Sequence, residues 1–165
     1  MTGRGLTLLT LLTAIAFATL AGFAELRLRA EGMGVFDARL LGYGAAEARA
    51  YLAALSAEQI ALYESQFRLA DTAFPALLAL VLLLWFRRGA RGGVRLALTL
   101  AVALYLAADY TENMLIGRLL DLGPEGITEP SVATASLFTQ AKWAILAVCL
   151  GAAVLLWTRK ERTTR

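Results

Sequence analysis

The sequence predicts an all-α integral membrane protein: a four-helix bundle with an extracytoplasmic helical hairpin between spans one and two, forming one membrane domain over residues 1–165. Three observations predict this fold class. Apolar residues make up 59% of the chain and charged residues 18%, against about 25% charged residues in soluble domains. Four apolar stretches approach or exceed the roughly 17 to 25 residues that cross a bilayer as a helix. Basic residues lie at particular ends of these stretches, which together take up most of the chain.

The histidine and cysteine content limits the kinds of catalytic, metal and disulfide site that the chain can form. The chain has no histidine and one cysteine, Cys149, which lies within an apolar run. Ser-His-Asp and Cys-His catalysis, His-ligated haem, His/Cys zinc sites and an intramolecular disulfide are therefore excluded. We expect no cofactor and no metal. We also expect no nucleic-acid partner, because the basic residues form no single face despite a net charge of +3.

The four predicted spans cover about residues 5–24, 71–86, 94–117 and 132–157. The first span has a second interpretation as a cleaved signal peptide, with Gly22 and Ala24 just before the cleavage site. Its apolar run is longer than the 7 to 15 residues usual in signal peptides, which favours a retained span. Glycine and proline supply the breaks between the later spans, at Gly89, Gly92, Gly93, Gly123, Pro124, Gly126 and Pro130.

An outer helical segment is predicted at about residues 45–70. Residues 45–55 form a short helix with Glu47 in its first turn, and Ser56 with Gln59 forms a capping box that begins a second helix near Ala57. This second helix runs to about Phe86, so its length of roughly 45 Å exceeds the hydrocarbon core. Its first half therefore projects above the membrane. We expect the short helix to lie across the mouth of the bundle or to pack against the upper part of the long helix.

The positions of the basic residues predict the orientation. One side of the four-span arrangement carries Arg4, Arg87, Arg88, Arg91, Arg95, Arg159, Lys160, Arg162 and Arg165. The positive-inside rule makes this side cytoplasmic. We therefore expect a multi-pass protein of the bacterial plasma (inner) membrane with N- and C-termini in the cytoplasm.

Four ionisable residues lie at one depth within the spans: Asp71, Asp109, Glu112 and Lys142. At 1.5 Å per residue, all four lie roughly 21 to 26 Å above the arginines that end their spans. In a hydrocarbon core about 30 Å thick, this depth is in the outer leaflet. A charge at the centre of a spanning helix costs about 2.5 to 3.5 kcal/mol, so these residues are expected to face the bundle interior.

Residues at helical spacing from these four add further polar side chains at the same depth. Asp109, Glu112 and Asn113 share one face of span three, while Thr139 and Gln140 share a face of span four with Trp143. Lipid chains offer no hydrogen-bond partners to the polar side chains of either face, so we expect the two faces to pack against each other. The predicted cluster or binding site therefore consists of Asp71, Asp109, Glu112, Asn113, Lys142, Thr139 and Gln140.

The direction of the side chains predicts which groups pair. Side chains lean toward the N-terminus of their helix, so Lys142 reaches outward and Asp109 leans inward. Glu112 and Asp71 are the expected partners of the ammonium, and Asp109 is the least compensated acid. Pro75 has no N–H group, so we expect a kink there that leaves the carbonyl of Asp71 free.

The chain resembles a family of small four-helix bacterial membrane proteins that carry D-x-x-F-P, D-x-x-E-N and K-W in successive spans. Residues 71–75, 109–113 and 142–143 match these motifs, and Gly42-Tyr43 and an outer helical hairpin precede them. The resemblance covers about residues 25–145. It implies the bundle architecture and the polar site, and it implies no particular reaction.

Three functions remain open at this point. The polar cluster is either a structural core alone, or a structural core that also serves as a binding site for a lipid, a cation or a partner protein. The expected partners are membrane lipids and a protein partner or second copy. Alternatively, the protein is an intramembrane enzyme that acts on a lipid or isoprenoid, with Asp109 or Glu112 as general acid. The third function is proton or small-cation transport, which is disfavoured because spans two and four are almost wholly apolar below the cluster.

Overall fold

A computed structural model describes residues 3–163, with side chains described as far as Thr158. The elements in chain order are α1 (Gly3–Phe23), a π-helical turn (Ala24–Leu28), a 3-10 turn (Phe36–Ala38), α2 (Ala45–Ala54), α3 (Ala57–Leu62), a second π-helical turn (Tyr63–Phe67), α4 (Arg68–Gly89), α5 (Gly92–Gly126) and α6 (Glu129–Thr163). The all-α fold class is confirmed.

Four helices are long and apolar enough to cross a bilayer, as predicted. The first is α1 with its π-helical turn, and the second joins α3 and α4 through Tyr63–Phe67 into one helix, Ala57–Gly89. The third is α5 and the fourth is α6. These helices extend beyond the predicted spans, because polar residues at the ends of each apolar stretch continue the helix rather than break it. Strongly exposed apolar side chains, which bilayer lipid would cover, include Ile15, Leu104, Leu137 and Val148.

Local sequence signals set the ends of the helices. Gln59 N–H donates to Ser56 Oγ at 3.1 Å, and Ser56 N–H donates to Gln59 Oε1 at 3.0 Å. The predicted capping box is therefore present and begins α3 at Ala57. Near the end of α5, Gly123 has φ +65°, a conformation that glycine adopts at little cost, and Pro124 follows it.

The helices pack around two apolar clusters. α1 packs against α4, α4 against α5 and α6, and α5 against α6. One cluster centres on Phe36, Tyr51 and Leu119 and lies at the end of the bundle that holds residues 29–56, here called the loop end. The other includes Phe86 and Cys149 and lies toward the opposite end, here called the arginine end for Arg87, Arg88, Arg91 and Arg95. Of the other basic residues in the orientation prediction, Arg4 lies exposed at the start of α1. The side chains of Arg159, Lys160, Arg162 and Arg165 lie outside the described ones.

The short helix α2 lies at the loop end. It packs against α5 and α6, and Arg49 Nη2 donates to the carbonyl of Ile127 between them at 3.1 Å. Its buried Tyr51 donates through its hydroxyl to the carbonyl of Leu28 at 2.8 Å, which ties α2 to the end of the first long helix. Burial raises the pKa of the Tyr51 phenol above its usual range, so this hydroxyl stays a donor at neutral pH. The short helix α2 thus covers the end where α5 meets α6, while the hairpin and its side of the membrane stay predictions.

The segment between α1 and α2, residues 29–44, enters the bundle between the helices, and we call it the inserted segment. Side chains from the long helices satisfy its backbone: Phe36 N–H donates to the Tyr63 hydroxyl at 3.2 Å, and Tyr43 N–H donates to Ser136 Oγ at 2.8 Å. Irregular backbone can lie at membrane depth only where protein groups satisfy it in this way.

A tight turn fixes the inserted segment against α6. Gly42 N–H donates to the carbonyl of Arg39 at 2.8 Å, and Gly42 has φ +83°. A Cβ atom at Gly42 would overlap the side chains of Gln140 and Ser136. The Arg39 guanidinium lies 5.0 to 5.6 Å from the ring centroids of Phe36, Tyr43 and Tyr51. The turn is therefore fixed at Arg39 by the aromatic rings and at Gly42 by its close contact with α6.

We expect Gly42→Ala to destabilise the protein by about 1 to 3 kcal/mol, because an L-residue is strained at this φ and its methyl group would push α6 away. Thermal unfolding in mild detergent measures the change. Gly34→Ala is the matched control, since Gly34 has open space around its Cβ position and no positive φ. Equal unfolding midpoints for the two variants would contradict the tight packing of the turn.

Candidate functional site

Lys142 lies at the centre of a buried cluster of carboxyl groups. Its Nζ forms an ion pair with Glu112, and it lies 3.4 Å from Asp109 Oδ1 and 3.8 Å from Asp37 Oδ1. Lys142 is 5% exposed, and all three acids are buried. One ammonium therefore serves three carboxyl groups in a part of the protein that water scarcely reaches.

Three elements bring these groups together. Lys142 comes from α6, whereas Asp109 and Glu112 lie three residues apart on α5 and so share one face. Asp37 comes from the 3-10 turn of the inserted segment. Close packing of α5 against α6 and insertion of the turn are both needed to complete the cluster.

Asp37 is held at its side chain and at its backbone. The Tyr63 hydroxyl donates to Asp37 Oδ2 at 2.6 Å, and Trp143 Nε1 donates to the Asp37 carbonyl oxygen at 2.8 Å. The Trp next to Lys142 therefore positions the acid that lies beside that lysine. These bonds fix the carboxyl group at a definite distance from the ammonium.

The predicted pairing of Lys142 with Glu112 or Asp71 was confirmed for Glu112, and the prediction for Asp109 was wrong. Glu112 pairs with Lys142, as predicted. Asp109 is not the least compensated acid, since it also lies beside the ammonium. Asp71 is in none of the ion pairs among the described residues. The prediction used only the direction of each Cα–Cβ bond along its helix. It did not include the close approach of α5 to α6, which lets both Asp109 and Glu112 reach the same lysine.

The sequence did not identify Asp37 or Tyr63 as members of the cluster. Asp37 lies in a glycine-rich stretch that carries no helical period and so gives no depth. The available signal was the apolar pair Val35-Phe36 beside it, which is unusual in an exposed loop and is buried here. For Tyr63, the signal was its four-residue spacing from Phe67, which places two aromatic rings on one face of the long helix.

The other predicted site residues surround the cluster. Asn113 Nδ2 donates to the backbone carbonyl of Asp71 at 3.4 Å and to Asp109 Oδ2 at 3.5 Å. This carbonyl is the one that Pro75 leaves free, although the helix continues through Pro75 without interruption. The Thr139 hydroxyl is buried and donates to the carbonyl of Ala135 at 3.2 Å, while Gln140 donates to the carbonyl of Ser136 at 3.4 Å. Gln140 therefore supports the turn at Gly42.

A cavity of about 560 Å³ extends from the cluster toward the arginine end. Asp37, Asp71, Asp109 and Lys142 line one end of it, and apolar side chains from α1, α4 and α6 line most of the rest. On α4 the lining runs from Asp71 to Trp85, which is about 21 Å at 1.5 Å per residue.

The cavity is open on the side where α1 and α6 face outward. Phe17 of α1 and Leu150 of α6 both line it, and each is 45% exposed. At the arginine end, Trp85 Nε1 donates to Thr10 Oγ1 at 3.1 Å and joins α4 to α1. The cavity thus has a charged end beneath the inserted segment, a long apolar body and an opening toward the space that bilayer lipid would occupy.

The donor set of the cluster does not suit a metal ion. Within residues 3–163, no three Asp, Glu or Cys side chains are placed to hold one. The ammonium of Lys142 occupies the position on which Glu112, Asp109 and Asp37 converge. The arrangement can instead bind a polar group beside these acids, or exchange protons with it.

No family model, curated protein or solved structure matches this chain. Its function is therefore inferred from the geometry of the cluster and the cavity.

We expect Lys142→Met to destabilise the protein by about 3 to 5 kcal/mol, because it leaves buried acids without their ammonium. Adding Glu112→Gln should restore part of this loss, whereas adding Asp71→Asn should not, since Asp71 is outside the ion pairs. Unfolding midpoints of the single and double variants in mild detergent measure the coupling. Strictly additive effects of Lys142→Met and Glu112→Gln would contradict the buried pair.

Proposed function

We propose that this protein is a multi-pass protein of the bacterial inner membrane that binds a single-chain lipid, with the apolar chain in the cavity and the polar head at the Lys142 cluster. The observation that carries the proposal is the amphipathic cavity: four ionisable side chains at one end and an apolar body below them. In the proposed orientation both termini are cytoplasmic, and the loop end with its helical hairpin is extracytoplasmic.

The size of the cavity supports a single chain. Its volume of about 560 Å³ is within the roughly 300 to 1,000 Å³ typical of small-molecule sites. Its length of about 21 Å exceeds half of a hydrocarbon core about 30 Å thick. A chain that filled it would therefore extend past the middle of the bilayer.

The distribution of polar groups favours binding over transport. Residues 143–157 of α6 carry no charged side chain, and neither does α4 between Thr72 and Phe86. The hydroxyls of Thr10 and Thr13 on α1 donate to carbonyls of their own helix, Leu6 and Leu9. An ion that reached the cluster would thus find no polar route along these walls to the arginine end.

An intramembrane enzyme is the second candidate, favoured by one observation: Asp109 and Lys142 both line the cavity at its charged end. A lipid or isoprenoid head placed there would lie beside a carboxyl group and an ammonium, which together can perform acid and base chemistry. Mass spectrometry of membrane lipids incubated with the protein would detect a product. Asp109→Asn should then keep the bound lipid and lose the product.

Tryptophan fluorescence tests lipid binding directly. Trp143 lines the charged end of the cavity and Trp85 the far end, whereas Trp157 is not among the lining residues and is removed as background by Trp157→Phe. Bromine quenches tryptophan on contact. We expect a single-chain lipid brominated near its head to quench Trp143, and one brominated at the end of its chain to quench Trp85.

A matched pair of substitutions separates the cavity from ordinary membrane contact. Ala14→Phe should fill part of the cavity and reduce quenching of Trp85 by the chain-end bromine, because Ala14 lines the cavity. Ala18→Phe makes the same change one turn along α1, where the residue does not line the cavity, and should leave quenching unchanged. Equal quenching in both variants would show that the lipid contacts Trp85 from outside the cavity.

A further inference from the structure

We infer that Asp71 binds the head of the lipid and that this head is a protonated amine, so that the ligand class is a long-chain amine. This inference rests on the proposed lipid-binding function and names its ligand. It is carried by the position of Asp71, a buried carboxyl group on the cavity wall that lies outside the ion pairs of Lys142.

Asp71 is 7% exposed and lines the cavity from α4. No ion pair among the described residues includes it. Its polar neighbour is the amide of Asn113, which is neutral and donates to the backbone carbonyl of Asp71 at 3.4 Å. A buried carboxyl group without a cationic partner is costly in a low-dielectric interior, so a ligand that supplies a cation there gains a charge-assisted hydrogen bond.

The remaining charges at this end of the cavity favour the same ligand. Lys142 forms ion pairs with Glu112, Asp109 and Asp37, so its ammonium is shared by three acids before Asp71 is counted. Asp71 adds a further carboxyl group at this end of the cavity, where Lys142 is the one cation among the described residues that line it. A phosphate or carboxylate head would instead meet Asp37, Asp71 and Asp109 with like charge and would be repelled.

The backbone carbonyl of Asp71 is a second acceptor at the same place. Pro75 has no N–H group to donate to it, and Asn113 Nδ2 donates to it at 3.4 Å. An ammonium has three donors and no acceptor, which matches a site made of a carboxylate and a carbonyl. An alcohol, with one donor, would satisfy less of the site.

The experiment compares three ligands of equal chain length at pH 7, each brominated at the end of the chain: hexadecylamine, hexadecanol and hexadecyl phosphate. Quenching of Trp85 by the chain-end bromine, or native mass spectrometry in mild detergent, gives the affinity of each. We expect the wild-type protein to bind the amine about tenfold or more tightly than the alcohol, and the phosphate most weakly. Asp71→Asn should reduce amine affinity by about tenfold or more and leave alcohol affinity within about twofold.

Asp121→Asn is the matched control, because Asp121 is exposed and far along α5 from the cavity; it should leave all three affinities unchanged. Butylamine should bind far more weakly than hexadecylamine, since it leaves the apolar body empty. Equal amine affinity in wild type and Asp71→Asn would overturn the inference. If Asp71→Asn fails to fold, the wild-type comparison still decides, because an alcohol that binds as tightly as the amine would overturn the inference.

Different results would contradict lipid binding in the cavity and the assignment of an amine head to Asp71. If hexadecanol binds with wild-type affinity that Ala14→Phe reduces, but the amine has no advantage, the cavity binds lipid and the assignment of the head is wrong. If none of the three ligands quenches Trp85 or Trp143, the lipid-binding function itself is wrong.

Discussion

The buried ammonium of Lys142 links α6 to α5 and to the inserted segment, because its acidic partners come from both. An unpaired charge in a membrane helix costs free energy of insertion. Here the charge of Lys142 is paired with three acids that come from α5 and from the inserted segment. Removing the lysine would leave the three buried acids without a cation. The cluster therefore fixes how α5 meets α6 and requires residues 29–44 to enter the bundle.

Entry of the inserted segment creates the cavity below it. The segment places Asp37 beside Lys142 and closes the loop end, while α1, α4 and α6 form apolar walls that lack side chains large enough to fill the space. Proteins usually fill such space, because empty volume forfeits packing contacts. A cavity of about 560 Å³ that faces lipid is therefore a natural place for a lipid chain. The same geometry that stabilises the fold thus forms the site.

Much of this architecture could be predicted from the sequence, because membrane depth can be counted along a helix. Four helices suited to crossing a bilayer, the capping box at Ser56 and the pairing of Lys142 with Glu112 follow from hydropathy, capping chemistry and rise per residue. The depth of Asp37 could not be predicted in this way, since it lies in irregular backbone that has no regular rise per residue. The roles of Asp71 and Asp109 were exchanged because the order of the acids around the lysine depends on how closely the helices approach, which the sequence does not state.

We expect Lys142 to be charged and paired with acids inside the bundle when the protein is in a bilayer. Solid-state NMR measures this pairing, because the chain has only two lysines and the Nζ signal of Lys142 can be resolved from that of Lys160. The expected result is a set of dipolar contacts between Lys142 Nζ and the side-chain carboxyl carbons of Glu112 and Asp109. A Lys142 Nζ that contacts only lipid headgroups or water would contradict it.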